Sequence, residues 1–178
     1  MRERQYMVRN YKIIGDKYRQ EKQLEKALKF YKRAYAYKSG REDVELMLDM
    51  ALVYDELECY KEAEQKYREV LSISPGEARA YYGIAITFDS QKRYDEAIEY
   101  YKKAIEADPE YEKAYFFLAN AYDEIGNKEM AIYNYKKAIE IEPEDFWAYI
   151  NLGVVYEELD QDKQALEMTE KALEIDPE

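Results

Sequence analysis

Four prolines punctuate the 178-residue chain: Pro75, Pro109, Pro143 and Pro177 stand 34 residues apart each time. A fixed period of that length signals a repeat architecture, in which one supersecondary unit stacks on the next. Setting the sequence out on this period gives units at 8–43, 44–77, 78–111, 112–145 and 146–178, behind an N-terminal extension of residues 1–7. No stretch is left over for a second domain. The expectation is a single array over 8–178.

Counting columns from the first residue of each unit, column 8 holds Gly15, Ala51, Ala85, Ala119 and Gly153. Column 20 holds Ala27, Ala63, Ala97, Ala131 and Ala165, and column 27 holds Ala34, Val70, Ala104, Ala138 and Ala172. Small side chains at fixed columns let two helix axes approach closely. Aromatic residues fill column 4 (Tyr11, Tyr81, Tyr115, Tyr149), column 11 (Tyr18, Tyr54, Phe88, Tyr122, Tyr156) and column 24 (Tyr31, Tyr67, Tyr101, Tyr135). Columns 4, 7, 8 and 11 share one helical face, as do 20, 24, 27 and 28. Most of the 21 tyrosines are therefore packing material.

Each unit reads as two helices of about fourteen residues, ~20 Å long. The break between them falls at columns 15 and 16, as at Gly126-Asn127, where a left-handed C-cap fits. Proline at column 32 ends the second helix by disfavouring the helical region for its predecessor. The first unit has Ser39 there and two additional residues, which predicts a different exit turn. Glu25 with Lys29, Glu62 with Lys66, Glu99 with Lys103 and Glu167 with Lys171 have the favourable i, i+4 order for surface ion pairs.

Composition narrows the function classes. The chain has no histidine and a single cysteine, Cys59, so the commonest general base, the commonest metal ligand and every Cys-His arrangement are missing. Cys59 reads as an incidental free thiol. No nucleophile, base and orienting group converge, and there is no phosphate loop and no calcium-loop spacing. The chain is read as non-catalytic, with no cofactor and no metal. Hydrophobic residues make up 47% and charged residues 37%, with no apolar run near the length of a bilayer span. The opening residues show no apolar leader, and the expected location is cytoplasmic.

The repeated columns resemble the tetratricopeptide repeat family over residues 8–178. The pattern is fullest in units three to five, for example Tyr149, Leu152-Gly153, Tyr156, Ala165, Ala172 and Pro177. The resemblance implies an all-α, right-handed superhelical solenoid of five antiparallel helix pairs. It also implies a non-catalytic scaffold for protein–protein interaction, with ligand contacts at columns 2, 5, 6, 9, 12 and 13 of the first helices.

Those columns carry apolar and aromatic groups in the later units: Tyr82, Ile86, Phe116, Phe117, Trp147, Ile150 and Val154, with Asn120 and Asn151 among them. Along one edge lie Asp89, Asp123, Glu124, Glu157 and Glu158. The expected occupant is a peptide or helix of another protein whose apolar side chains anchor it and whose Lys or Arg residues meet the carboxylates. The family's dicarboxylate clamp for chaperone C-termini is rejected. Lys12 is followed by Asp16 and Asp49 where that clamp has Asn, and Phe116 replaces the lysine that Asn120 and Asn151 would need.

Charge divides unevenly. Residues 1–43 hold 13 basic and 6 acidic residues, net +7, whereas 44–178 hold 14 and 33, net −19. An alternative expectation is therefore a homo-oligomer built by end-to-end stacking, which would cover the last helix with its Ala165, Leu166, Thr169, Ala172 and Leu173. A third is weak contact of residues 1–43 with nucleic acid or an anionic surface, although the overall charge of −12 makes nucleic acid a poor partner.

Overall fold

The computed structural model of the chain describes residues 2–177, and side chains from residue 5 onward. Met1 of the N-terminal extension and Glu178 of the last unit lie outside the described residues. Those described form eleven helices and no strand. The chain divides into two compact units, Met1–Thr87 and Phe88–Glu178.

In the first unit, α1 (Arg2–Gln20) runs without a break through the extension. It is followed by α2 (Leu24–Tyr35), α3 (Lys38–Arg41), α4 (Val44–Glu56), α5 (Tyr60–Ile73) and the greater part of α6 (Ala78–Asp89). Helix α1 packs on α2, α2 on α4, and α4 on α5. The short α3 contains Ser39 and is the divergent exit turn that the missing proline predicts. The second unit takes the end of α6, then α7 (Tyr94–Ala107), α8 (Glu112–Glu124), α9 (Lys128–Ile141), α10 (Phe146–Glu158) and α11 (Asp162–Ile175). Here α7 packs on α8, α8 on α9, α9 on α10 and α10 on α11.

The turn inside each helix pair is the same motif five times. Lys22, Glu58, Lys92, Gly126 and Asp160, all at column 15, have positive φ. The next residue's N–H donates to the carbonyl of the column-11 aromatic, as in Gln23 to Tyr18 and Asn127 to Tyr122, both at 2.8 Å. This is a Schellman closure, and only Gly126 adopts the left-handed conformation without side-chain strain. The second helices α5, α7, α9 and α11 stop two residues before the prolines, and Ser74, Asp108, Glu142 and Asp176 leave the helical region as pre-proline residues do.

The small-residue columns are buried with one exception: Ala27, Ala63, Ala97, Ala131, Ala34, Val70, Ala104, Ala138 and Ala172 are inaccessible to water, whereas Ala165 of α11 is half-buried. The four column-24 tyrosines are fully buried as well. The predicted surface pairs, however, do not form among the described residues. Lys66 turns to Glu69 (2.6 Å) and Lys171 to Glu174 (2.8 Å), while Lys103 lies over the Tyr100 ring at 4.4 Å. For Lys66 the reason is local: its ammonium also sits 4.0 Å from the Tyr35 ring, and Tyr35 donates to the same Glu69.

Candidate protein-binding face

The buried tyrosines determine which polar groups of the first helices remain available. Each column-24 hydroxyl needs an acceptor once it is withdrawn from water. Tyr31 donates to Asp16 (2.8 Å) and Tyr135 to Asn120 (2.5 Å), both at column 9. Tyr67 donates to Asp55 (3.0 Å) and Tyr101 to Asp89 (2.9 Å), both at column 12. The acceptor has a cost of its own. Burial pushes the Asp55 carboxyl up to about 6, against the hydrogen bonds from Thr87 and Tyr67 that favour its charge. Burial also raises Asp89, with the nearby Glu124 charge adding to it, and the Tyr101 hydroxyl pulling the other way.

In the first unit the ligand columns form a charged network between α1 and α4. Lys12 pairs with Asp49 (3.1 Å), Arg19 bridges Asp49 (3.2 Å) and Glu56 (3.4 Å), and Lys22 reaches Glu56 (3.6 Å). These groups line a cleft of about 490 Å³. Burial pushes the Asp49 carboxyl up despite both cations. Lys12 is thus already occupied. On α6, Tyr82 and Ile86 are half-buried, with Tyr82 close to Tyr67.

The second unit presents a different surface at the same columns. On α8, Phe117 stacks on Tyr101 with ring centres 6.4 Å apart, Phe116 sets its edge against Tyr135 at 5.9 Å, and the two phenylalanines meet edge to face at 5.1 Å. Both rings remain half-exposed. On α10, Trp147 is 63% exposed and Val154 45% exposed, seven residues apart and so on one side of the helix. Ile150 lies between them, half-buried. Asn151 donates to Asn120 at 3.2 Å, which ties α10 to α8 and fills the acceptor that Tyr135 already uses. Asp145 caps α10 by accepting from the Trp147 N–H (3.0 Å). Burial, followed by the charge of Asp145 and a hydrogen bond to it, pushes Glu112 up to about 7 beside this cap.

The expected row of carboxylates proves unequal. Asp89 is taken by Tyr101, and Lys128 bridges Asp123 (2.6 Å) and Glu158 in a close ion pair with each. Glu124 accepts from Tyr94. Glu157 is exposed and has no ion-pair partner among the described residues. The sequence does not reveal Lys128, the first residue of α9, which lies outside the ligand columns and neutralises two of the five acids from the side. Among the described residues no group of acids or cysteine could hold a metal ion, and no helix is long and apolar enough to cross a membrane.

Comparison with known proteins agrees with this architecture. The tetratricopeptide repeat model matches residues 78–111 and 146–178, a second tetratricopeptide repeat model matches 100–133, and a TPR repeat model matches 124–160. No curated protein matches the sequence. Among solved structures, a crystal structure of MamA shares 27% identity over 92% of this chain and 95% of its own, with a TM-score of 0.80. MamA 41-end from Desulfovibrio magneticus RS-1 shares 24% over 96% of both chains, at 0.82. YrrB, described as a TPR protein with an unusual peptide-binding site, shares 24% over 94% of this chain and 86% of its own, at 0.71. The repeated columns, the helix pairs and the matched models over 78–178 agree, and the chain belongs to the tetratricopeptide repeat family.

Proposed function

We propose that this protein is an interaction scaffold whose second unit binds an amphipathic segment of another protein across α8 and α10. The observation that carries the reading is the exposed Trp147, aligned with Val154 on a helix whose opposite side is buried in the core. Large aromatic groups left open beside a polar rim are the usual anchors of an interface. Phe116, Phe117 and Ile150 extend the apolar area, and Glu157 and Glu124 supply charge for one or two Lys or Arg residues of the partner. Asn120 and Asn151 hold α8 and α10 in place, while Asp89 serves a tyrosine. In the first unit the paired charges of Lys12, Arg19, Asp49 and Glu56 stand among the apolar groups of these columns, Ile13, Leu52, Tyr82 and Ile86, and no tryptophan anchor is present.

The test is to replace Phe116 and Trp147 with Ala, each being partly exposed and therefore removable without loss of the fold. Binding of a partner recovered with the unaltered protein is expected to weaken at least about tenfold in either variant. Unchanged binding by a folded double variant rejects this face as the site.

A further inference from the structure

The repeats provide an internal ruler for what a covered helix face looks like, and two faces fail it. Column 7 is buried in every first helix that follows a second helix: Met50, Ile84, Leu118 and Leu152 are 0–3% exposed. In α1 the same column is Ile14, 37% exposed, next to Ile13 at 55%. Column 21 of the earlier second helices is shielded from water to a greater degree, with Leu28 at 9%, Ile98 at 6% and Ile132 half-buried. In α11 that column is Leu166 at 60%, and Leu173, two turns on, is 53% exposed.

We infer that α11 of one molecule packs against α1 of the next, so that copies of this chain join head to tail through these two faces. The contacts inside the chain give the register. Column 24 meets column 6 of the following first helix: a Cβ on Gly83 would touch the Tyr67 ring, Tyr101 stacks on Phe117, and Tyr135 hydrogen-bonds Asn151. In the proposed junction the pair is Thr169 and Ile13, a small group opposite a larger one. Column 25 meets the ring at column 11: Lys32 lies over Tyr54 at 5.4 Å, Lys102 over Tyr122 at 5.5 Å and Lys136 over Tyr156 at 5.7 Å. At the junction that ring is Tyr18, and a cation from its own unit, Lys26, already lies over it at 5.5 Å. The incoming column-25 residue is Glu170, the one acidic residue in a column otherwise filled by Lys32, Arg68, Lys102 and Lys136. Glu170 thus places a carboxylate opposite a ring already covered by the Lys26 ammonium.

The wider charge agrees with a second copy as the occupant. Residues 1–43 carry net +7, and residues 44–178 carry net −19. The contact is heterologous, with different surfaces on the two molecules, so it propagates rather than closing on itself as a two-fold dimer does. It is independent of the proposed binding face, since none of its residues lies on α8 or α10.

The test uses the 178-residue chain in analytical ultracentrifugation from micromolar to millimolar concentration. Mass is expected to grow with concentration and to fall at high salt. Ile13→Asp and Leu166→Asp, both at exposed positions, are each expected to weaken assembly at least about tenfold without lowering the melting temperature appreciably. An equimolar mixture of the two variants is expected to form dimers and stop there, because one variant keeps an intact α11 face and the other an intact α1 face. A monomer throughout the range overturns the proposal, as does assembly that both substitutions leave unchanged or a mixture that stays monomeric.

Discussion

A carboxylate that serves a buried hydroxyl trades charge for position. Asp55 accepts from Tyr67 and from Thr87 (2.8 Å), and its burial raises the proton affinity of the folded state above that of the unfolded chain, whose ordinary value is 3.8. The native state therefore holds this proton more tightly between pH 4 and 6. The associated stability is fully present below pH 4, declines as pH rises through about 6, and is absent above. With allowance for its partial exposure to water, the effect is on the order of 1–2 kcal/mol. Asp55→Asn keeps a polar group opposite both hydroxyls and removes the titration. It is expected to melt a few degrees higher than the parent at pH 8 and to lose that advantage at pH 4, as followed by circular dichroism.

At the scale of helices, the tyrosine ring sets how closely neighbours approach. A Cβ on Gly15 would lie 2.4 Å from the buried Tyr31 ring, whose hydroxyl is fixed by Asp16. At Gly153, in the same column, the ring is absent because column 24 is Thr169, and a Cβ would meet Met168 at an ordinary 3.4 Å. Gly15→Ala is expected to destabilise by about 1–3 kcal/mol in chemical denaturation. Gly153→Ala is expected to be neutral or to gain about 0.5–1 kcal/mol as an interior helix position. The helix pairs, their turns and their covered columns were legible in the sequence because the same residue types recur at fixed spacing. The acceptors of the tyrosines were not, since two columns lie within reach of the hydroxyl and side-chain position decides between Asp16 and Asp55. The Lys128 bridge was hidden for a similar reason: it depends on the first residue of α9 reaching acids on both α8 and α10.

For the molecule as a whole, the structure redistributes what composition first suggests. Seven of the 21 tyrosines lie in the buried core, several acids are acceptors or ion-pair partners, and large exposed apolar side chains stand on the α8–α10 face and on the open faces of α1 and α11. Two of those surfaces are assigned to assembly and one to recognition of a partner. The recognition face has a built-in reporter, since Trp147 is the only tryptophan of the chain. The most direct measurement is its emission during titration with a helical peptide of leucines and lysines and with its leucine–glutamate counterpart. A saturable blue shift with the basic peptide, absent with the acidic one and weakened at least about tenfold by Phe116→Ala, is the predicted result. Emission that does not respond to the basic peptide, or that responds equally to both peptides, would contradict the account.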